Sequence, residues 1–134
     1  MRQGFANSGG QYIDSGCNIE SNGRTQADDV LATLAFMSEQ PYVDKQRIIV
    51  LGQSHGGWVT LALGASNPPV GVKGLVNFAG GLRQESCPGW KSSIARAAGG
   101  LGRDSRLPHS GFVGPRTQFL QSTRRGHLQT LRGA

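Results

Sequence analysis

Residues 47–58 read Arg47-Ile48-Ile49-Val50-Leu51-Gly52-Gln53-Ser54-His55-Gly56-Gly57-Trp58. An apolar run ends at a glycine, a serine follows two residues later, and a pair of glycines comes next. This is the G-x-S-x-G pattern, in which a strand, a sharp turn and a helix hold a serine hydroxyl at the tip of the turn. The pattern predicts a strand over residues 47–51, a helix over residues 56–66 and a candidate nucleophile at Ser54.

The residues around Ser54 have predicted roles in the same turn. Gly52 and Gly56 lack a β-carbon, and we expect this to relieve crowding where the backbone is strained. We expect the backbone N–H of His55 to stabilise an oxyanion, aided by the positive end of the following helix. Neighbouring side chains on a sharp turn point apart, so we interpret the His55 ring as lining the pocket floor and not as the base.

A glycine-rich turn between a strand and a helix can also bind a phosphate group. The lysine of a phosphate-binding P-loop is missing from this turn, so we favour the nucleophile. A catalytic triad in this frame follows the chain order serine, acid, histidine. The acids after Ser54 are Glu85 and Asp104 and the later histidines are His109 and His127. Asp104 follows a predicted helix and not a strand, and the next strand, whose exit loop should bear the acid, is not evident, so the triad acid and base are unassigned.

The flanking segments predict an α/β fold. Residues 1–24 are rich in glycine, asparagine and serine and indicate a loop. Apolar residues at helical spacing predict a helix from Thr25, its proposed N-cap, to about Gln40, before Pro41. A second buried strand is predicted over residues 72–79 and a further helix over residues 90–101. The unbroken apolar run at 47–51 indicates a strand covered on both faces, and the alternation of strands and helices indicates a parallel sheet.

Composition divides the chain near Pro108. The 134 residues include 21 glycines and carry a net charge of +6. Residues 1–108 are close to charge balance, whereas residues 109–134 contain four arginines and no acid. We therefore predict that residues 1–108 are the central part of one domain and that residues 109–134 are a basic, poorly ordered tail. The tail lacks the interleaved aromatic residues that stack on bases, so we do not predict a nucleic-acid partner.

Other sequence features exclude several classes of protein. No run of 18 apolar residues occurs, so no membrane span is predicted, and no charged-then-apolar leader follows Met1. Cys17 and Cys87 fit no metal-ligand spacing. They either pair, which would favour a periplasmic or secreted location, or stay as two thiols. The sequence alone assigns neither the compartment nor the oligomeric state.

Several segments of residues 2–108 resemble an α/β-hydrolase of the dienelactone-hydrolase type, a group that grades into the prolyl-oligopeptidase-like peptidases. Residues 2–10, Arg2-Gln3-Gly4-Phe5-Ala6-Asn7-Ser8-Gly9-Gly10, are similar to the loop after the fourth strand of that family. Residues 26–29, Gln26-Ala27-Asp28-Asp29, are similar to the start of the helix before the nucleophile. Residues 52–57 resemble its nucleophile turn, and residues 76–81 resemble the next strand and its exit loop.

The resemblance implies a serine hydrolase that acts on a carboxylic ester or lactone by acyl transfer and needs no cofactor. A peptidase acting on peptides is the alternative, since the dienelactone group often carries cysteine where this chain has Ser54. The family also has strands before Arg2 and an acid and a histidine after Pro108 that we do not identify here. We therefore expect a fragment of low or no activity, or a non-catalytic protein, and we hypothesise that the tail is read out of frame.

Overall fold

A computed structural model describes residues 2–113, 118–122 and 128–132, with the side chains of residues 2–108. The strands form one sheet in the order β1-β2-β3-β4-β5. Strands β1, β2 and β3 are parallel, whereas β4 and β5 are antiparallel to their neighbours. The elements are α1 (Ile19–Ser38), β1 (Ile48–Gln53), α2 (His55–Gly64), β2 (Val72–Phe78), α3 (Trp90–Asp104), β3 (His109–Val113), β4 (Gln118–Ser122) and β5 (Leu128–Arg132). The predicted α/β class, with parallel strands and flanking helices around a strand–turn–helix, is confirmed.

The unit β1-α2-β2 places the ends of two strands side by side. Gln53, the last residue of β1, lies opposite Phe78, the last residue of β2. Helix α2 packs on both strands, and α1 and α3 pack on α2 and on each other. The carboxyl ends of β1 and β2 therefore form one edge, from which the turn to α2 departs.

The core lies between these helices and one face of the sheet, around Trp58, whose side chain is 1% exposed. The Trp58 indole Nε1–H donates a hydrogen bond of 3.0 Å to the Ile19 carbonyl. A β-carbon at Gly23 would lie 2.7 Å from that nitrogen, so glycine lets α1 approach the indole. The buried core residues are Ile19, Ala27, Leu34, Trp58, Val59, Ala62, Leu63, Val72, Leu75, Ala97 and Leu101.

Helix α1 begins at Ile19, six residues before the position predicted from the sequence. Asn18 is the N-cap, and its Oδ1 accepts a hydrogen bond of 2.9 Å from the backbone N–H of Ser21. The prediction of Thr25 as the N-cap was wrong. Residues 20–23 are polar or glycine, and the segment becomes helical because Ile19, Asn22 and Gly23 bury against α2, a tertiary contact that overrides local propensity.

Replacing the true cap tests this boundary. We expect Asn18→Ala to lower the free energy of unfolding by about 1 kcal/mol, because it leaves a donor in the first turn of α1 without its partner. Thr25→Ala is the matched control, and it should be neutral or slightly stabilising because Thr25 lies inside the helix. Urea unfolding followed by circular dichroism measures both variants. A larger loss in Thr25→Ala than in Asn18→Ala would contradict the boundary.

One face of β1 is uncovered, contrary to the prediction of a strand buried on both faces. The side chains of Ile49 and Leu51 are 59% and 62% exposed, whereas Ile48 and Val50 pack against the core. The described helices pack together on the other side of the sheet, so an alternate set of apolar side chains faces outward. None of the helices in the described chain combines the length and hydropathy that a membrane span requires.

Strands β3, β4 and β5 fall within the segment 109–134, where the sequence shows no clear strand period. Residues 114–117, 123–127 and 133–134 lie outside the described residues. The division at residue 108 and the expectation of a poorly ordered tail therefore stay predictions.

The structure pairs the two cysteines, a choice that the sequence left open. Cys17 and Cys87 form a disulfide with a Cα–Cα separation of 5.5 Å. It joins the residue before the N-cap of α1 to the segment that leads into α3. A hydrogen bond of 3.4 Å from Gln84 Nε2–H to the Gly16 carbonyl lies beside it. The two segments are thus connected covalently across 70 residues of chain.

Candidate active site

Ser54 lies in the turn between β1 and α2, at the carboxyl edge of the sheet. Its backbone has φ 53° and ψ −122°, a conformation that non-glycine residues rarely adopt. The Ser54 N–H donates 2.9 Å to the Phe78 carbonyl, and the Ser54 carbonyl accepts from the N–H groups of Trp58 and Gly81, each at 3.1 Å. Ser54 is exposed. Three backbone hydrogen bonds therefore hold a strained residue at the edge where α/β proteins bind ligands.

Gly52 is required by the close approach of α2 to the end of β1. A β-carbon at this position would overlap the Gly56 carbonyl group and the Thr60 hydroxyl. The Thr60 hydroxyl itself donates 2.9 Å to the Gly56 carbonyl, so the first turn of α2 has no free space on this side. Gly52 therefore lets the helix start directly above the strand from which it departs.

The second tight glycine is Gly57 and not Gly56. A β-carbon at Gly57 would overlap Asn77 Oδ1 and would lie 2.8 Å from Gly80 Cα. A β-carbon at Gly56 would meet nothing within 4 Å. The expectation that Gly56 relieves crowding is corrected, because its missing β-carbon faces open space whereas that of Gly57 faces the end of β2.

The backbone N–H and the ring of His55 have different surroundings. As the first residue of α2, its backbone N–H has no acceptor within the helix, and it bonds to no other part of the described chain. Its half-buried ring has Nε2 at 3.1 Å from Asn22 Oδ1 and lies with its centroid 6.2 Å from those of Phe5 and Tyr12. Burial lowers the pKa of the His55 imidazole, and the positive charge of Arg2 lowers it further. Burial and Arg2 therefore both favour the neutral form of the ring, and the backbone N–H remains available.

The two acids that follow Ser54 are engaged with arginines. Asp104, at the end of α3, lies 3.2 Å from the Arg24 guanidinium, and Glu85 lies 3.7 Å from that of Arg83. Both carboxylates are exposed, Glu85 more so. Neither of them bonds to a histidine in the part of the chain whose side chains are described.

The backbone of His109 lies away from the turn at Ser54. His109 lies opposite Leu75 in the sheet, three residues before Phe78. At about 3.3 Å per residue, its backbone is roughly 10 Å from the strand end beside Ser54. His127 lies outside the described residues. Among the side chains described, those of residues 2–108, none is placed beside Ser54 as a base or acid, and the triad acid and base stay unassigned.

Asn22 and Asn77 are the site residues that sequence reasoning missed. Asn22 is 1% exposed on α1 and bonds to His55, and Asn77 near the end of β2 fills the space behind Gly57. A polar residue on the apolar face of a helix is a weak signal in a sequence, and neither contact is visible without the fold. Residues 2–108 contain no group of three His, Cys, Asp or Glu side chains arranged to hold a metal ion.

The comparison with known protein families gives a match that covers the turn at Ser54. The sequence model of the prolyl oligopeptidase family matches residues 3–70, just over half of the chain. The matched segment contains the N-terminal loop, α1, β1, the turn at Ser54 and α2. No curated protein and no solved structure matches the chain significantly.

Proposed function

Because the chain belongs to the prolyl oligopeptidase family, whose members have an α/β-hydrolase fold and hydrolase activity, we propose that Ser54 is the nucleophile of a serine hydrolase. The observation that carries the proposal is the strained, exposed Ser54 directly before a free helix N-terminal N–H. Ser54 would attack the carbonyl carbon of the substrate. The backbone N–H of His55 would donate to the resulting oxyanion, and Gly52 would keep the turn tight enough for both.

The reaction would be acyl transfer. The Ser54 hydroxyl gives up its proton as its oxygen bonds to the carbonyl carbon, and the bond from that carbon to the leaving group then breaks as the leaving group takes the proton. Water next attacks the acyl-serine ester, which releases the acid and returns a proton to the Ser54 oxygen. These steps need no cofactor. They do need a base for the Ser54 proton, and the described residues place none beside it. We therefore propose that the chain by itself turns over substrate slowly or not at all.

The family and the earlier resemblance support different substrates. The family favours a peptide, whereas the likeness to dienelactone hydrolases favours a carboxylic ester or lactone. Both have a carbonyl that Ser54 would attack in the same way. Comparing a p-nitrophenyl ester with a peptide p-nitroanilide, each as the ratio of its rate with the protein to its rate with Ser54→Ala, separates the two proposals by which substrate is accelerated more.

A non-catalytic protein is the second candidate, and the uncovered face of β1 favours it. Ile49 and Leu51 are exposed on a strand at the edge of the described sheet. Exposed apolar edge strands promote association. On this proposal the chain aggregates or assembles and shows no ester or peptide turnover.

A fluorophosphonate probe tests the nucleophile directly. We expect slow labelling of the chain that maps to Ser54 and disappears in Ser54→Ala. Ser66→Ala is the matched control. Ser66 lies beyond the end of α2, away from the turn at Ser54, and its hydroxyl is engaged as a donor to the Ala62 carbonyl. Mass spectrometry of the digested protein locates the label. Labelling that persists unchanged in Ser54→Ala would contradict the proposed role, and fast labelling of the wild type would contradict the proposed low activity.

A further inference from the structure

The buried side chain of Asn22 connects the turn at Ser54 to the N-terminal loop. Asn22 Nδ2 donates 2.8 Å to the Tyr12 hydroxyl, and Asn22 Oδ1 lies 3.1 Å from His55 Nε2. Asn22 is 1% exposed, so water does not replace either bond. Both ends of the amide are thus used, and truncating it removes the protein partner of the half-buried His55 ring and that of the Tyr12 hydroxyl.

The His55 bond acts together with a second bond between the same two helices. Trp58 Nε1–H donates to the Ile19 carbonyl at 3.0 Å. Ile19 and Asn22 are three residues apart on α1, and His55 and Trp58 are three residues apart on α2, so each pair lies on one helix face. Two bonds one turn apart set the rotation of α2 about its axis. That rotation sets the direction of the N–H groups in its first turn.

We propose that Asn22 is a positioning residue, which holds the His55 ring and thereby aims the His55 backbone N–H at the site of the oxyanion. The inference rests on the proposed function for its chemical purpose. The geometry explains why a buried amide stands on the apolar face of α1. It also gives the His55 ring a task other than that of a base: with Asn22 Oδ1 as acceptor, Nε2 carries the hydrogen of the neutral ring.

Nuclear magnetic resonance of the full chain, labelled with ¹⁵N, tests the proposal. In Asn22→Leu we expect the chemical shifts of the backbone amides of His55 and Gly56 to change. We also expect the chemical shift of His55 Nε2 to change, because this nitrogen loses its hydrogen-bond partner. Asn22→Asp keeps the acceptor oxygen, so it should restore the amide signals. Its negative charge, beside the ring, should raise the pKa of His55.

Gln26→Leu is the matched control. Gln26 is 2% exposed on α1, one turn after Asn22, and its Nε2 donates to the Ile13 carbonyl of the same loop. This variant also loses a buried amide, but it does not touch His55. We expect its His55 and Gly56 signals to match the wild type, which separates positioning from a general loss of stability.

Labelling of Ser54 by the fluorophosphonate probe is the second readout. We expect the rate to fall at least tenfold in Asn22→Leu and to stay near the wild type in Gln26→Leu. Unchanged His55 signals in Asn22→Leu would overturn the positioning role, as would equal changes in Gln26→Leu. If Asn22→Leu does not fold, unchanged His55 ring signals in Asn22→Asp overturn it. If the His55 signals change in Asn22→Leu but the probe does not label Ser54 in the wild type, the result supports the positioning role and contradicts the proposed function.

Discussion

Reduction of the Cys17–Cys87 disulfide is expected to lower the free energy of unfolding by roughly 4 kcal/mol. The bond closes a loop of 70 residues, which contains α1, β1, α2 and β2. Closing so long a loop lowers the conformational entropy of the unfolded chain. A small domain has only about 5–15 kcal/mol of stability in total, so the reduced protein should be close to unfolding.

Urea unfolding with and without dithiothreitol measures this effect. We expect a large drop in the midpoint on reduction, together with the appearance of two free thiols. The double variant Cys17→Ser with Cys87→Ser is the control, and its midpoint should be low and insensitive to dithiothreitol. Equal midpoints for the oxidised and reduced wild type would show that the bond does not stabilise the fold.

Gly52→Ala is expected to cost about 3 kcal/mol or more of the free energy of unfolding, at the upper end for overpacking. The added methyl group would overlap the backbone of Gly56, which cannot move without shifting the first turn of α2. The same shift would displace His55 from the strained turn. We therefore also expect Gly52→Ala to lose labelling at Ser54 even under conditions in which it stays folded.

Gly56→Ala is the matched comparison for stability. It adds the same methyl group to the same turn, but that group meets nothing within 4 Å. Alanine also has a better helix propensity than glycine, so we expect a gain of about 0.5–1 kcal/mol. Thermal unfolding of both variants shows which of the two glycines makes a contact that excludes a β-carbon. A larger loss in Gly56→Ala than in Gly52→Ala would contradict the packing described here.

Much of the fold was predictable because its signals are local. The apolar run before Gly52 predicted β1, and the small apolar residues after Gly56 predicted α2 within two residues at each end. The start of α1 was not predictable in this way. Residues 19–23 have weak helix propensity, and they are helical because Gly23 lets the chain pack against Trp58.

The candidate site, like the fold, has features that follow from local sequence and features that depend on distant contacts. The motif pointed to Ser54 and to the tight Gly52, since a strand–turn–helix imposes these residue types by local geometry. It also pointed to Gly56, whereas the structure assigns the second close contact to Gly57, because that contact is made with the distant residue Asn77. Asn22, 33 residues from His55, carried no signal beyond being polar.

The sequence by itself determined the α/β class and the strand–turn–helix at Ser54. These follow from hydrophobic periodicity and from the conformational needs of one turn, which act over a few residues. Only the tertiary structure decided that Cys17 pairs with Cys87, that Asn22 bonds to the His55 ring and that one face of β1 is uncovered. Such choices depend on which distant segments meet when the core forms around Trp58, and no local pattern contains that information.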